Sequence, residues 1–340
     1  MTNDRARWAY LGPAGTFTEQ AALELARQAG DGEHGGAAPA GSPDGDGVRR
    51  RADASRTDAP SPELIPAPTV SAALQMVRAG EVAAACVPLE NSVEGAVALT
   101  HDELTHGDPL LITAEAYVPV TFQLLARPGT KIQDVRTVGS HPHGLAQVRE
   151  YLTRELPRAG TVVTDSTASA AAAVAAGTLD AAAAAPVAGQ RYGLAVLADD
   201  IGLQTDAITR FVLLRRPAPP PARTGNDRTS MVLWVANEPG TLLGLLTEFA
   251  SRGINLTRLE SRPTRTTMGE YVFLVDADGH VTDPAIADVL AALLRRGALL
   301  RYLGSYPRMR GTSVPPPEFA SRDRYDSAAV AVARLQQGVL

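Results

Sequence analysis

The chain has 340 residues, 45% hydrophobic and 20% charged, and a formal net charge of −5 at pH 7. This length predicts two or three folded domains, and the acidic balance argues against a nucleic-acid partner. Lys131 is the only lysine and lies in a Pro-Gly turn. Schiff-base catalysis, which requires a desolvated lysine, is therefore disfavoured.

The single cysteine, Cys86, lies in the apolar run "EVAAACVPLE". One cysteine excludes an internal disulfide, and its apolar surroundings predict a buried thiol rather than a nucleophile. The N-terminus shows no signal-peptide pattern, and no run of about 20 apolar residues predicts a membrane span. We therefore expect a cytoplasmic protein that has no membrane partner.

The first two-thirds of the chain alternates predicted strands and helices, which indicates a doubly wound α/β fold with parallel strands. "RWAYLG" is a strand, and Thr16 and Glu19 form a predicted capping box at the helix that follows. Residues 31–61 are rich in Gly, Ala, Pro and Asp, and this composition predicts a disordered insertion. The later predicted strands of this part are "EVAAACVPLE", "DVRTVGS", "GTVVTDS" and "DAAAAAP".

Short hydroxyl or amide side chains occupy four predicted strand-to-helix turns, which are Thr16, Asn91-Ser92, Ser140 and Ser166-Thr167. In an open α/β sheet these turns meet at the ligand-binding edge, and helix N-termini there attract anions. Any one of these residues could serve only as a helix cap. Together with Thr209 and Arg210, which open the strand "ITRFVLL", they favour a cleft for a small anionic molecule.

The remaining third of the chain changes character after a proline-rich linker at 215–228. The order of its predicted elements is βαββαβ, which is typical of a ferredoxin-like domain over 229–308. The tail at 309–340 begins in prolines, and we expect at most a weak helix near 327–337.

Motifs for common cofactors are missing from the sequence. No G-x-G-x-x-G follows a strand, and no P-loop lysine is present, which disfavours dinucleotide and nucleoside triphosphate sites. His141 and His143 flank a proline at a helix start and lack companion ligands, so no metal site is predicted. Catalysis would then depend on hydroxyls, amides, helix dipoles and arginine, and we expect no cofactor.

The chain resembles the prephenate dehydratase family in five motifs, which occur in the order "YLGPAGTFTEQAA", "VPLENSVEGAV", "SHPHGLAQ", "YGLAVL" and "TRF". The later part of the chain resembles the ACT regulatory domain of that family in two runs, "GTLLGLLTEFASRGINLTRLESRP" and "GEYVFLVDADGH". The resemblance implies a two-lobed catalytic domain over 7–214, like periplasmic binding proteins, and an α+β ACT domain over 229–308. It implies a hydro-lyase that converts prephenate to phenylpyruvate in phenylalanine biosynthesis. Only nine residues precede the first motif, so we expect no fused chorismate mutase domain.

The resemblance also assigns roles to residues of the first domain. Thr209 is the expected catalytic group, acting as a positioned hydrogen bond on the departing oxygen. Strand alternation points Thr209 and Phe211 one way and Arg210 the other. Either the backbone is irregular there or Arg210 holds the site from behind. The expected substrate-binding residues are Thr16, Asn91, Ser92, Ser140, Gln147, Thr167, Arg210 and Phe211.

For the ACT domain the resemblance implies feedback inhibition by L-phenylalanine and pairing of subunits as a homodimer or homotetramer. We expect a chain that ends near Ala222 to be active but insensitive to phenylalanine. The sequence departs from the family pattern at Thr241, where alanine is usual. The expected effector-binding residues are Gly240, Thr241, Leu242, Leu243, Asn255, Leu256, Glu260, Ser261, Arg262 and Pro263.

Two other functions remain open at this stage. An arogenate dehydratase would perform the same reaction on the amino-acid analogue, and no residue separates the two substrates. A non-catalytic, amino-acid-sensing ligand-binding protein could use a similar two-lobed fold. The missing export signal and the presence of Thr209 count against the second alternative.

Overall fold

A computed structural model describes residues 5–32, 61–93, 95–203, 206–235, 237–264, 271–312 and 314–339. The predicted insertion at 31–61 falls almost entirely on residues 33–60, which lie outside the described residues. The chain divides into two compact units. The first contains Met1–Pro68, Glu81–Ala83 and Thr121–Thr205, and the second contains Thr69–Gly80, Ala84–Val120 and Asp206–Leu340.

The secondary structure follows the predicted alternation closely. The elements up to residue 119 are β1 Arg7–Leu11, α1 Phe17–Gly32, β2 Glu63–Ala67, α2 Val70–Arg78, β3 Ala84–Asn91, β4 Gly95–Ala96, α3 Ala98–His106 and β5 Leu111–Pro119. The next are β6 Gln123–Ala126, β7 Thr137–Ser140, α4 Pro142–Glu155, β8 Gly160–Val163, α5 Thr167–Ala175, β9 Ala181–Ala184, α6 Pro186–Tyr192 and β10 Ala195–Ala198. The last are β11 Ile208–Arg215, β12 Asp227–Trp234, α7 Thr241–Ala250, β13 Leu256–Pro263, β14 Tyr271–Asp278, α8 Pro284–Arg295, β15 Leu299–Pro307 and α9 Arg322–Gln336.

The first unit contains a sheet with the strand order β10-β6-β9-β7-β8. β7 runs parallel to β8 and β9, as predicted, and β1 runs parallel to β2. β9 consists of four alanines that are fully buried, although alanine favours helices. Tertiary packing decides its structure, because Ala182 and Ala184 lie in one core with α5 and Leu125.

The prediction of uniformly parallel strands is wrong at β11 and β6. β11 lies between β3 and β5 and is antiparallel to both, and β6 is antiparallel to β9 and β10. β3 and β5 run in the same direction, and β11 lies between them in the opposite direction. The α/β class of the fold is confirmed, and these strands make its sheets mixed.

The C-terminal part of the second unit has the predicted ferredoxin-like βαββαβ arrangement, with the strand order β13-β14-β12-β15. Its core lies between the sheet and helices α7 and α8, around Met231, Phe249 and Val289. β11 continues to Arg215 and β12 begins at Asp227. The irregular connection therefore covers 216–226, which is shorter than the predicted linker at 215–228.

β15 of this sheet approaches β5 closely at Gly304. A Cβ atom at Gly304 would collide with the backbone oxygen of Ile112, and the φ of Gly304 is 132°. Both the contact and the backbone angle require glycine. The C-terminal sheet is thus packed directly against the strand that borders β11.

The tail forms a longer helix than expected, since α9 spans Arg322–Gln336, and its side chains are mostly exposed. The segment before it lies against α7, where Pro317 and Ala320 cover Gly253. Cys86 is fully buried, as predicted, and burial raises the pKa of its thiol. Across the part of the chain that the structure describes, no helix is long and apolar enough to cross a membrane.

Candidate functional site

The strand that carries the T-R-F motif presents successive residues to opposite faces. Thr209 pairs in register with Asn91 on β3, and Arg210 pairs with Glu90. A register shift then follows between Arg210 and Phe211. The backbone is therefore irregular at the motif, and Thr209 and Arg210 still have different surroundings.

Thr209 is held by the side chain of Asn91. The Nδ2 atom of Asn91 donates to Thr209 Oγ1 at 2.8 Å, and Asn91 Oδ1 accepts from the backbone nitrogen of Val93 at 2.8 Å. The second bond fixes the orientation of the amide, so that its nitrogen must face the threonine. Within the described residues, Thr209 Oγ1 has no other hydrogen bond. Its own proton is thus available to a ligand, and the residue is 8% exposed.

Ser92 fixes the beginning of β11. Its backbone nitrogen donates to the carbonyl of Ile208 at 2.9 Å, and its Oγ accepts from the Ile208 nitrogen at 2.9 Å. These bonds extend the ladder between β3 and β11 by one residue. Ser92 therefore supports the position of Thr209 through the backbone.

The prediction that Asn91 starts a helix is wrong. Asn91 ends β3, β4 follows, and α3 begins at Ala98 after Val97, which makes no side-chain cap. Asn91 acts here through its amide at a strand end and not through a helix N-terminus.

Arg210 points away from Thr209 into a buried cluster of charges. Its Nε donates to Glu115 Oε2 at 2.8 Å, its Nη1 to Asp276 Oδ2 at 2.6 Å, and its Nη2 to the Tyr306 hydroxyl at 2.8 Å. Burial alone would lower the pKa of Arg210, but Asp276, Tyr306 and Glu115 raise it well above the usual value. The guanidinium is therefore charged and occupied by protein groups.

These contacts correct the expectation that Arg210 and Phe211 bind substrate directly. Arg210 matches the other alternative, in which it supports the strand from behind. Phe211 is 2% exposed and belongs to the core. A side chain covered in this way stabilises the strand and presents no surface to a ligand.

In the first unit, Thr16 lies at the start of α1. Its Oγ1 accepts from the Glu19 nitrogen at 3.4 Å, and a Glu19 carboxylate oxygen accepts from the Gly15 nitrogen at 2.5 Å. The other oxygen of this buried carboxylate pairs with Arg191 at 2.9 Å. The capping box is thus present with Gly15 as the backbone donor, and it fixes the turn that holds Thr16.

Ser140 differs from its prediction, because it is fully buried and donates to the carbonyl of Ala183 at 2.7 Å. The residue that caps α4 is His141, whose Nδ1 accepts from the His143 nitrogen at 3.3 Å. A side chain at Gly144 would collide with the Ser140 hydroxyl and press on Thr167. The buried Ser140 therefore positions α4 and is not exposed to a ligand.

Thr167 and Gln147, like Thr16, are partly exposed members of the predicted set in this unit. Thr167 is the first residue of α5, which Ser166 caps by accepting from the Ser169 nitrogen at 2.9 Å. Gln147 lies in the second turn of α4, and its carbonyl accepts from Leu203 at 2.7 Å. Both side chains remain predicted substrate contacts.

His141 and His143 stack with their ring centroids 5.2 Å apart. Among the described residues, no group of three or more His, Cys, Asp or Glu side chains could hold a metal ion.

The predicted effector residues fall at two ends of the ferredoxin-like sheet. Gly240, with a φ of 86°, precedes α7, and Leu242 and Leu243 are exposed beside it. Asn255 donates to Asp278 Oδ2 at 2.8 Å just before β13. β13 has eight residues, so Asn255 and Pro263 are separated by about 25 Å. Within one chain, Asn255-Leu256 therefore lie apart from Gly240 and Pro263.

Glu260 and Arg262 form one charged group on β13. Arg262 Nε donates to Glu260 Oε1 at 2.7 Å, and the other oxygen of Glu260 lies 3.4 Å from Arg258 Nη1 and 3.3 Å from Nδ1 of His101. His101 belongs to α3 and is buried. The predicted effector strand thus contacts the helix that follows β3 and β4.

Glu115, Asp276 and Tyr306 were not predicted as site residues. A weak signal was present in the sequence, because "LITAEAYVP" and "YVFLVDAD" each place an acidic residue within an apolar strand. A buried carboxylate requires a cationic or hydrogen-bonding partner. The sequence does not identify that partner, which in both strands is Arg210.

The chain resembles known proteins in both sequence and structure. The family model for prephenate dehydratase matches residues 51–219, and that for the ACT domain matches residues 229–295. A prephenate dehydratase of Amycolatopsis methanolica is 48% identical over 334 residues, which is 98% of this chain and 99% of that protein.

Two solved structures resemble the fold over most of the chain. The Arthrobacter aurescens prephenate dehydratase in complex with L-Phe is 39% identical, with a TM-score of 0.80, and the match covers 98% of this chain and 100% of that one. GqqA, described as a novel type of quorum quenching acylase, is 28% identical, with a TM-score of 0.70, over 88% of this chain and 96% of that one. A related fold therefore carries a different named activity, which makes the residues of the site the deciding feature.

Proposed function

This chain belongs to the prephenate dehydratase family, and we propose that it converts prephenate to phenylpyruvate, carbon dioxide and water. The observation that carries this proposal is the hydrogen bond from Asn91 to Thr209. It occupies an acceptor site of the threonine hydroxyl and leaves the proton available. A hydroxyl held in this way is suited to donate to an oxygen that leaves a substrate.

The reaction requires little else from the protein. The carbon–carbon bond to the ring carboxylate breaks, its electron pair enters the ring, and the opposite carbon–oxygen bond breaks as the ring becomes aromatic. One proton converts the departing hydroxide to water. Thr209 donates a hydrogen bond to that oxygen as negative charge develops, which lowers the barrier more than it stabilises the bound substrate.

Asn91 orients Thr209, and Ser92 supports the same strand through its bonds to Ile208. We propose Thr16, Gln147 and Thr167 as further substrate-binding residues, because all three are partly exposed. Thr16 and Gln147 also belong to motifs of the family, and Thr167 is the first residue of α5. Ser140, Arg210 and Phe211 have supporting roles in this scheme, since each is buried.

We also propose that L-phenylalanine regulates the enzyme through the ACT domain, and that the chain acts as a homodimer or homotetramer in the cytoplasm. The complex of the Arthrobacter aurescens relative with L-Phe supports the choice of effector. Exposed leucines in this domain, Leu243, Leu259 and Leu299, offer apolar area for pairing of subunits. Light scattering with and without phenylalanine would measure the number of subunits.

Turnover of prephenate by the purified protein tests the main proposal. Formation of phenylpyruvate should exceed the uncatalysed rate, and kcat/KM on prephenate should be compared with that on arogenate. A higher value on arogenate would change the substrate and leave the reaction unaltered. No turnover of either substrate would contradict the proposed function.

A further inference from the structure

Arg210 stands at the centre of a charge cluster that joins two sheets of the second unit. Glu115 on β5 accepts both from Arg210 Nε at 2.8 Å and from Arg228 Nη1 on β12 at 2.6 Å. Asp276 on β14 and Tyr306 on β15 accept from the two terminal nitrogens of Arg210. One side chain of the T-R-F strand is thus bound to three strands, and two of them belong to the ACT domain.

Asp276 connects this cluster to the strand of the predicted effector motif. Its carboxylate accepts from Arg210 at 2.6 Å, from Ser230 at 2.6 Å and from Arg258 Nε at 3.1 Å. Burial would raise the pKa of Asp276, but the three arginines Arg258, Arg210 and Arg228 hold it well below its usual range. The carboxylate is therefore charged, and it links β11 to β13.

From Arg258 the contacts continue along β13. Arg258 Nη1 lies 3.0 Å from Nε2 of His101 and 3.4 Å from Glu260 Oε2, and Glu260 pairs with Arg262 at 2.7 Å. An unbroken series of polar contacts therefore runs from the residue beside Thr209 to the E-S-R-P motif. Buried networks of this kind have a few discrete arrangements, since a partly satisfied member is costly.

The cluster also constrains Thr209 itself. Arg210 and Thr209 are adjacent on a strand whose pairing with β3 shifts register directly after Arg210. Because the two residues are neighbours on this strand, the backbone at Arg210 also sets the position of Thr209 and of its 2.8 Å bond to Asn91.

We propose that Arg210 is a positioning residue for Thr209, and that its buried contacts with Asp276 and Tyr306 couple phenylalanine binding in the ACT domain to the catalytic hydroxyl. The regulatory part of this inference rests on the proposed function. Phenylalanine would shift the position of β13, and Asp276 would transfer that shift to Arg210. The enzyme would then lose activity because Thr209 is displaced, without any contact between the effector and the substrate.

Tyr306→Phe is the mildest test, because it removes one acceptor of Arg210 and keeps the aromatic ring. Tyr302→Phe is the matched control, since Tyr302 lies on the same strand and its hydroxyl has no bond to the cluster. We expect Tyr306→Phe to lower kcat by about threefold to tenfold, with a smaller change in KM, and to weaken phenylalanine inhibition by a similar factor. Tyr302→Phe should change each value by less than about twofold.

A second pair of variants uses the same substitution within the ACT domain. Asp276→Asn removes a charge that faces Arg210, whereas Asp288→Asn on α8 removes one that pairs with Arg252 at 2.7 Å. Amide hydrogen exchange over residues 208–211 gives a readout that does not depend on turnover. Phenylalanine should change this exchange in the unaltered protein and in Asp288→Asn, and should leave it unchanged in Asp276→Asn and Tyr306→Phe.

Equal kcat and equal phenylalanine inhibition in Tyr306→Phe and Tyr302→Phe would overturn the inference. So would an exchange response at 208–211 that survives in both cluster variants. If the unaltered protein does not turn over prephenate, the proposed function fails, and the exchange measurement still decides whether the cluster couples the two regions. Circular dichroism of each variant should confirm that it is folded.

Discussion

The Nδ2 atom of Asn91 lies 2.8 Å from the Oγ1 atom of Thr209, and the two residues face each other in register on antiparallel strands. The amide is fixed in turn by the backbone nitrogen of Val93. An amide can only donate through its nitrogen, so Thr209 is the acceptor in this pair. This polarity makes the threonine a donor toward any ligand, and it yields the first two predictions.

Thr209→Ala should lower kcat by at least about 10²-fold, or about 2.7 kcal/mol of transition-state stabilisation. The melting temperature should change little, because a single small side chain at the strand end is lost. Thr209→Ser keeps the hydroxyl and should retain most of the activity. Steady-state kinetics of both variants check this, and near-native kcat in Thr209→Ala would remove the residue from the mechanism.

Asn91→Asp replaces the donor with a carboxylate oxygen of nearly the same size. The hydroxyl of Thr209 would then donate to Asp and would no longer be available to the departing oxygen. We expect kcat to fall by at least about tenfold, and the double variant Asn91→Asp, Thr209→Ala should be little worse than Thr209→Ala alone. Asn226→Asp makes the same change in the connection between β11 and β12 and should leave kcat unaltered. Additive losses in the double variant would show that the two residues act independently.

His101 makes stability depend on pH. Burial, together with the neighbouring Arg258 and Arg262, lowers the pKa of His101 to about 3, because Asp276 offsets these effects only in part. A histidine in the unfolded chain has a pKa of about 6.5. Between about pH 3 and pH 6.5 the unfolded chain therefore binds more protons than the folded chain, and the free energy of unfolding falls as the pH drops below about 6.5. Between pH 7.5 and 5.5 we expect His101 to account for a loss of about 1 kcal/mol in the free energy of unfolding.

Urea unfolding at the two pH values measures this loss, and His101→Gln should remove it. His106→Gln changes an exposed histidine on the same helix and serves as the control. An equal pH dependence in the unaltered protein and in His101→Gln would contradict the assignment.

Removal of the ACT domain should do more than abolish regulation. The sequence alone suggests that a chain ending near Ala222 is active and insensitive to phenylalanine. The structure shows that such a chain loses Asp276 and Tyr306, which bind Arg210, and uncovers Ile112 beside Gly304. We therefore expect insensitivity together with a kcat at least about tenfold lower. Full activity of the truncated chain, measured after its fold is checked by circular dichroism, would show that the cluster does not support Thr209.

Local patterns were sufficient for most of the secondary structure. Pro142 at the start of α4, the T-A-S start of α5 after Ser166 and the βαββαβ order depend on neighbours in the sequence, and all are present. The errors arose where distant segments decide the outcome. β11 is antiparallel because of the strands on either side of it, and Asn91 ends a strand because β4 pairs back onto β3.

The sequence by itself determined the order of the elements and the βαββαβ domain, because hydrophobic periodicity is a local property. Its T-R-F motif, through the family resemblance, also makes Thr209 the predicted catalytic residue. Only the tertiary structure decided what the side chains of the site do. Ser140, Arg210 and Phe211 carry polar or aromatic groups that could equally bind a ligand or pack inside the protein, and burial assigns them to the interior. Arg210 shows the reason most directly, since its partners Glu115, Asp276 and Tyr306 lie 95, 66 and 96 residues away along the chain. Such a charge can be buried only where all its partners meet, and no local pattern records that meeting.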